Sequence, residues 1–300
     1  MAAELFGILG TTFKRFNADR CFNHSIVISY FTLLCAVPLV ALFAWAATKI
    51  MGDYELAIRS LNLFTEDFFA KFDPSFFAKL SGISKNIGNL GWFGLVGSLI
   101  GGSFLFSNLI YSINTIFKSQ RRKSFFYNRL MEYMIMFIIA VILFFSLSIT
   151  AVWTAAHRAI TASEFVRTTL KPGVMIVVDN VFLQYLAPFI LGFLVLFVIY
   201  KFIPETKVHT RAAVVAAAIG SVFWELFKRI FVVYVANFSA VGIVLSKLLQ
   251  GTLVSIIFFL LWISTSLVIL LWGAELACVL NEKMEAKQVK VHGKGSEGLK

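Results

Sequence analysis

What this sequence lacks most is charge. Asp, Glu, Lys and Arg make up 14% of its 300 residues, against about 25% in a soluble domain, which leaves too little polar surface to keep a water-facing globule in solution. Cysteine is nearly absent: Cys21, Cys35 and Cys278 form an odd set without CxxC spacing, so neither a disulfide framework nor a thiolate metal site is expected. Histidine is equally thin. His24, His157, His209 and His292 are scattered, with no HExxH or paired-His spacing, and this excludes the usual zinc ligand sets. There is no GxxxxGK[ST] loop to cradle a nucleotide phosphate and no GxSxG nucleophile elbow. Asp53 and Asp179 have no catalytic companion. The expectation is a protein that is not an enzyme, with no catalytic residues, no metal and no cofactor, and that does not drive ATP-powered pumping on its own.

What the chain does have is apolar residues, 59% of the total, gathered into long blocks. About 20 apolar residues cross roughly 30 Å of hydrocarbon at about 1.5 Å per residue. Blocks of that length fall at Ser25 to Ile50, Gly91 to Phe117, Met131 to Ala156, Val174 to Ile203, Arg211 to Val235, and Thr252 to Leu271 with an extension to Leu280. This predicts an all-α integral membrane protein, a bundle of about six transmembrane helices. The first block runs to about 25 residues after a mixed N-terminal stretch, longer than the apolar core of a removable signal peptide, and is read as a retained span. Residues 1–282 form a single polytopic transmembrane domain, and 283–300, polar and rich in Gly and Lys, read as a disordered cytoplasmic tail.

The formal charge of +11 raises the question of nucleic acid, but the cations flank apolar blocks instead of forming a stripe on a polar domain, so no nucleic-acid partner is expected. Orientation follows from their placement. The segments before the first span, between the second and third, around the link from fourth to fifth, and after the sixth hold 3, 5, 3 and 5 Lys and Arg, while the opposite-side segments hold 4, 3 and 1. Both termini are thus placed in the cytoplasm. The strongest element is a basic loop, Lys118, Arg121, Arg122, Lys123 and Arg129, with no acidic residue inside it. Its ordinary use is to set topology; its functional use would be to bind lipid or a partner.

Between the first two spans, Gly52 to Leu90 is too long for a turn and too polar to span. Phe64, Phe68 and Phe72 recur at helical spacing, with Phe69, Phe76 and Phe77 nearby and Pro74 breaking the run. The segment reads as an interfacial helical piece or a cap on the bundle. Within spans, Gly91, Gly94, Gly97 and Gly101, and then Ala213, Ala217, Gly220 and Ser221, make small-residue stripes that mark close helix approach. The Gly97-x3-Gly101 spacing fits packing inside one bundle and also a homo-oligomer. Pro38 and Pro188 each remove a mid-membrane donor and predict kinks, which serve shape or motion.

Ionisable groups at membrane depth are costly, and each is a functional candidate. Glu225, Lys228 and Arg229 sit at i, i+3 and i+4 on one side of the fifth span. Glu225 and Lys228, with Asn108 of the second span and Glu275 near the inner interface, are the candidate polar path; Arg229 lies where a long side chain snorkels to headgroups. Asn114 and Gln184 are further interhelical hydrogen-bonding candidates. For Glu275 a structural pair with a basic residue of another helix competes with a role in the path.

Three stretches together carry a resemblance: Asn17 to Arg20 followed by Ser29 to Leu34 and Val37-Pro38-Leu39; Ala216 to Gly220 through Trp224 to Lys228 and Tyr234; and Trp262 with Gly273-Ala274-Glu275-Leu276. In order and spacing, from about residue 14 to 282, the chain resembles the BrkB/YihY family of bacterial inner-membrane proteins. Ser239-Ala240-Val241-Gly242 departs from the aromatic, Tyr-containing turn of many relatives. The resemblance implies a six-helix, multi-pass protein of the bacterial inner membrane, in a family whose members carry labels as ribonuclease, virulence or serum-resistance factor and transporter. A nuclease needs a water-accessible general base or metal cluster, which this sequence does not offer.

Two functions follow as expectations. One is a secondary transporter or exporter of a small solute, ion or lipid-linked envelope species. The other is a non-transport envelope or virulence factor, a scaffold or lipid-binding protein acting through residues 118–129 and the Phe-rich segment. The expected partners are membrane lipids and an unidentified small solute or lipid.

Overall fold

The computed structural model describes residues 2–51, 91–119, 126, 129–139, 141–142, 186–249 and 252–297. Every regular element among these residues is helical. In chain order they are α1 (Ala2–Ala18), α2 (Cys21–Met51), α3 (Gly91–Ile116), α4 (Ala187–Phe202), α5 (Thr210–Leu249) and α6 (Thr252–Glu297), with further helical residues at 129–139. Two stretches, Val96–Ile116 and Ile256–Gln288, are long and apolar enough to cross a bilayer, and Cys21–Ala36 and Pro188–Phe202 are shorter apolar helices.

The starts of the blocks at Ser25, Gly91, Met131, Arg211 and Thr252 are legible in these elements, Val174 lies outside the described residues, and three departures stand out. Residues 2–18, ahead of the first apolar block, form a helix that no apolar run announces. Helix α5 runs to Leu249, so residues 236–249, read as an outer loop that includes Ser239 to Gly242, are helical; an apolar-run criterion stops once a bilayer is spanned, but nothing in this sequence breaks the helix. Helix α6 likewise continues to Glu297, and most of the segment 283–300 expected to be disordered is helix. Its Glu, Lys, Met, Ala and Gln residues are good helix formers, and they extend a helix that is already nucleated, so only the favourable propagation step remains.

The chain divides into two compact units: unit 1 is Met1–Asp19, Ile113–Leu226 and Trp272–Lys300, and unit 2 is Arg20–Ser112 and Phe227–Leu271. In unit 2, α2 and α3 pack through the glycine stripe. A Cβ on Gly97 would lie 3.1 Å from Pro38 Cβ, and one on Gly101 would lie 2.7 Å from Cys35 Sγ. The stripe is therefore used inside the chain, which realises the single-bundle reading at these two positions. Pro38 sits within an unbroken α2, and Pro188 sits in the first turn of α4 as described, where a missing N–H costs little. Phe31 stacks on Phe104 with centroids 5.8 Å apart. Phe227, Phe231 and Trp262 form an aromatic core, with Trp262 4.9 Å from Phe227 and 4.8 Å from Phe231 by centroid.

In unit 1, α5 shows which way these helices face. Ala212, Ala213, Ala216, Ala217, Gly220 and Ser221 are buried, whereas Val214, Val215, Val222, Phe223 and Leu226 are exposed. A soluble protein buries its large apolar side chains. Small residues inward and large apolar residues outward suit a helix that meets lipid on one side and a neighbouring backbone on the other.

Candidate functional site

Among the described residues of unit 1, a connected set of polar contacts forms around the C-terminal part of α6. From Gly273 to Val279 this helix is buried throughout. At its start a Cβ on Gly273 would overlap the hydroxyl of Tyr200 and lie 2.8 Å from Cζ of that ring. Tyr200, fully buried, also has its hydroxyl 3.5 Å from a Cβ built on Gly220. One ring thus sets the spacing of α4, α5 and α6, and no side chain larger than hydrogen fits opposite its hydroxyl on α6. Phe223 and Trp272 meet edge to face at 5.1 Å.

One turn further, Cys278 Sγ lies 3.5 Å from the carbonyl oxygen of Ile116 at the end of α3. Then Asn281, 6% exposed, clamps the turn between α4 and α5. Its Oδ1 accepts the His209 N–H at 2.7 Å, and its Nδ2 donates to the Lys207 carbonyl and to Glu285 Oε1 at 3.3 and 3.0 Å. Because the His209 carbonyl receives the N–H groups of Ala212 and Ala213, Asn281 holds the residue that caps α5. The same turn is held from α3: the Glu205 N–H donates to Asn114 Oδ1, and Ser119 Oγ donates to the Glu205 carboxylate, both at 3.0 Å. Within the turn, the Lys201 ammonium donates to the Val208 carbonyl. Finally, Glu282 receives both terminal nitrogens of Arg15 from α1, at 2.8 and 2.7 Å. The Arg15 hydrogen bond, helped by the charge of Lys118, holds the Glu282 carboxyl below its ordinary range, and Glu282 holds Arg15 more firmly protonated in return.

Against this geometry the residues singled out in the sequence separate. Glu225 on α5 and Glu275 on α6 belong to unit 1, and Lys228 and Asn108 to unit 2. Glu275 is 0% exposed, within the field of the Arg15 guanidinium. Glu225 and Lys228 are half-buried on consecutive turns of α5. Asn108 donates within its own helix to the Phe104 carbonyl at 2.8 Å. Of the basic loop, Lys118 is exposed and closes α3 in a left-handed conformation, φ 49°, with the paired bonds Ser119 N–H to Asn114 and Lys118 N–H to Thr115 of a Schellman end. Arg129 is helical and pairs with buried Glu132 at 2.7 Å, so its charge is matched on its own helix. Arg121, Arg122 and Lys123 lie outside the described residues, as do Gln184, the Phe-rich segment 52–90 and most of the third span.

Sequence reasoning missed Asn281, Arg15 and Tyr200. The signal for Asn281 and Glu282 was present in the abrupt change from apolar to polar after Leu280. For Tyr200 there was none, because an aromatic residue in an apolar block reads the same whether it faces lipid or a glycine.

A helix such as α5, with small residues inward and large apolar ones outward, beside stretches long and apolar enough to cross a bilayer, fits an α-helical membrane protein. The chain belongs to the family described as Virulence factor BrkB, which matches residues 12–297, and this bears out the resemblance read from its three motif stretches. It is similar to bacterial proteins named UPF0761 membrane protein: one of Acinetobacter baylyi, 26% identical over 89% of this chain and 60% of the relative; one of Alteromonas mediterranea, 25% identical over 97% and 93%; and one of Vibrio parahaemolyticus, 24% identical over 90% and 81%. The chain thus spans less than two thirds of the Acinetobacter relative and most of the other two. No solved structure matches.

Proposed function

We propose that this chain is a six-pass protein of the bacterial inner membrane with both termini in the cytoplasm, and that it works as a secondary transporter or exporter of a small solute, ion or lipid-linked envelope species. It uses no cofactor and catalyses no covalent step. The observation that carries the reading is Glu275, a carboxylate with 0% exposure on an apolar helix, accompanied in the same unit by Glu225. Carboxylates kept at such depth are costly and characteristically belong to ion or substrate paths. Lys228, one turn from Glu225, supplies the opposite charge on α5.

The test compares everted membrane vesicles carrying the native chain, Glu225→Gln, Glu275→Gln or Lys228→Met at matched membrane levels. Vesicles are energised with a proton gradient, and their contents are profiled by mass spectrometry for solutes and lipid-linked species. At least one species should accumulate with the native chain and fall to the chain-free level in the variants. Identical profiles with and without the native chain defeat the proposal.

The family description names virulence, a phenotype that a scaffold or lipid-binding protein also produces. Neutralising Arg121, Arg122 and Lys123 separates the two: a scaffold loses lipid or partner association with insertion intact, and a transporter keeps its turnover.

A further inference from the structure

Helix α1 carries an apolar sector that its own unit covers only in part. At about 100° per residue, Ile8, Leu9, Thr12, Phe13 and Phe16 share one side of the helix, and Gly7, Gly10, Thr11 and Lys14 lie on the other. Thr12 and Phe16 are buried, but Leu9 is 36% and Phe13 61% exposed. A Cβ placed on Gly7 or Gly10 meets nothing within 4 Å, so the far side is open as well.

The ion pair to α6 gives the depth of this helix. Arg15 grips Glu282 with two nitrogens, and Glu282 is the second residue beyond Leu280, where the apolar run of α6 ends. A helix fastened at that level lies where hydrocarbon gives way to headgroups, so an exposed Leu9–Phe13 edge there faces acyl chains. The charge at the same level is positive. Lys118 is close enough to act on Glu282, the Lys207 carbonyl and the His209 N–H meet Asn281, and Lys14 follows Phe13. The acids at this level, Glu282, Glu205 and Glu285, are engaged by Arg15, Ser119 and Asn281 in turn.

We infer that α1 is an in-plane anchor: its Leu9–Phe13 edge lies among acyl chains at the membrane boundary, and Lys14 with the neighbouring cations binds the phosphates of anionic phospholipids in the surrounding bilayer. Amphipathic helices with this division of faces gain binding from apolar burial and from attraction to anionic lipid together. The inference stands apart from the transport proposal, since an anchor serves a transporter and a scaffold equally.

The test uses the full chain in nanodiscs with a nitroxide at Leu9→Cys, Thr11→Cys, Phe13→Cys or Lys14→Cys, one site at a time. The three native cysteines are buried, and labelling of the unsubstituted chain measures their background. Collision with oxygen, which concentrates in hydrocarbon, should exceed collision with a water-soluble nickel chelate severalfold at positions 9 and 13, with the order reversed at 11 and 14. Moving from phosphatidylcholine to a mixture with phosphatidylglycerol should raise the ratio at position 13, and Lys14→Glu should abolish that rise. The inference is overturned if the nickel chelate dominates at position 13, which puts that edge in water, or if neither reagent reaches it, which means that protein or a second copy covers it. An identical ratio in both lipids overturns the anionic-lipid part.

Discussion

The hydroxyl of Tyr200 occupies the position where a side chain on Gly273 would begin. An aromatic residue of α4 is thereby matched to a glycine of α6 across more than seventy residues of sequence, and the match sits two residues before the buried Glu275.

Replacing Gly273 by Ala forces its methyl group into that ring, and Tyr200 is fully buried and also faces Gly220 on α5. Overpacking of this kind costs about 1–3 kcal/mol. Thermal unfolding in detergent should show a clear drop for Gly273→Ala. Adding Tyr200→Phe should recover only part of it, because Cζ of the ring, 2.8 Å from the new carbon, remains.

Gly101 offers a cleaner rescue. Its nearest neighbour is Cys35 Sγ, while the Cys35 Cα and Cβ stand at 3.5 and 3.6 Å, ordinary contact distances. Gly101→Ala alone should destabilise by about 1–3 kcal/mol, and Cys35→Ala should restore most of the loss. Independent, additive effects in the double-mutant cycle would contradict the direct contact.

Asn281→Ala removes the acceptor for the His209 N–H and the donor to the Lys207 carbonyl. Leaving such groups without partners costs roughly 1–3 kcal/mol. Amide hydrogen exchange should quicken at His209 and the start of α5, with the middle of α5 unchanged. Asn281→Asp keeps the acceptor and should protect the His209 amide better than Ala does.

The Arg15–Glu282 pair predicts a pH dependence. Glu282 has a lowered carboxyl pKa in the folded chain, so its contribution is present above the ordinary value of 4.5 and is lost as pH falls through the lower folded value. The partners are 28% and 46% exposed, so the pair is worth about 1 kcal/mol or less and weakens with salt. Glu282→Gln should lower the unfolding midpoint slightly at neutral pH and flatten its acid limb. An unchanged acid limb would mean that the pair contributes nothing to stability.

Much of the fold was legible because a membrane helix is announced by the length of an apolar run, a local property. Helices α2 and α3 begin and end within a few residues of the blocks Ser25 to Ile50 and Gly91 to Phe117. The far ends of α5 and α6 were hidden for the same reason, since composition marks where lipid ends but not where the backbone stops coiling. Helix α1 escaped notice because Gly7 and Gly10 interrupt a short apolar pattern. Of the candidate site, Glu275 stood out in the sequence as a carboxylate within an apolar stretch, and its surroundings did not: Asn281 and Arg15 looked like ordinary polar residues flanking spans.

By itself the sequence determined the class of this protein, an all-helical chain of the membrane with its polar groups confined to a few places, because hydropathy and helical periodicity act over one or two turns. Only the tertiary structure decided that Gly101 receives Cys35, that Gly273 receives Tyr200 and that Arg15 reaches Glu282 across 267 residues. In lipid no hydrophobic drive favours one helix pairing over another, so partners are chosen by the shape of small-residue surfaces and by a handful of polar contacts, and neither can be read from a single strand of sequence.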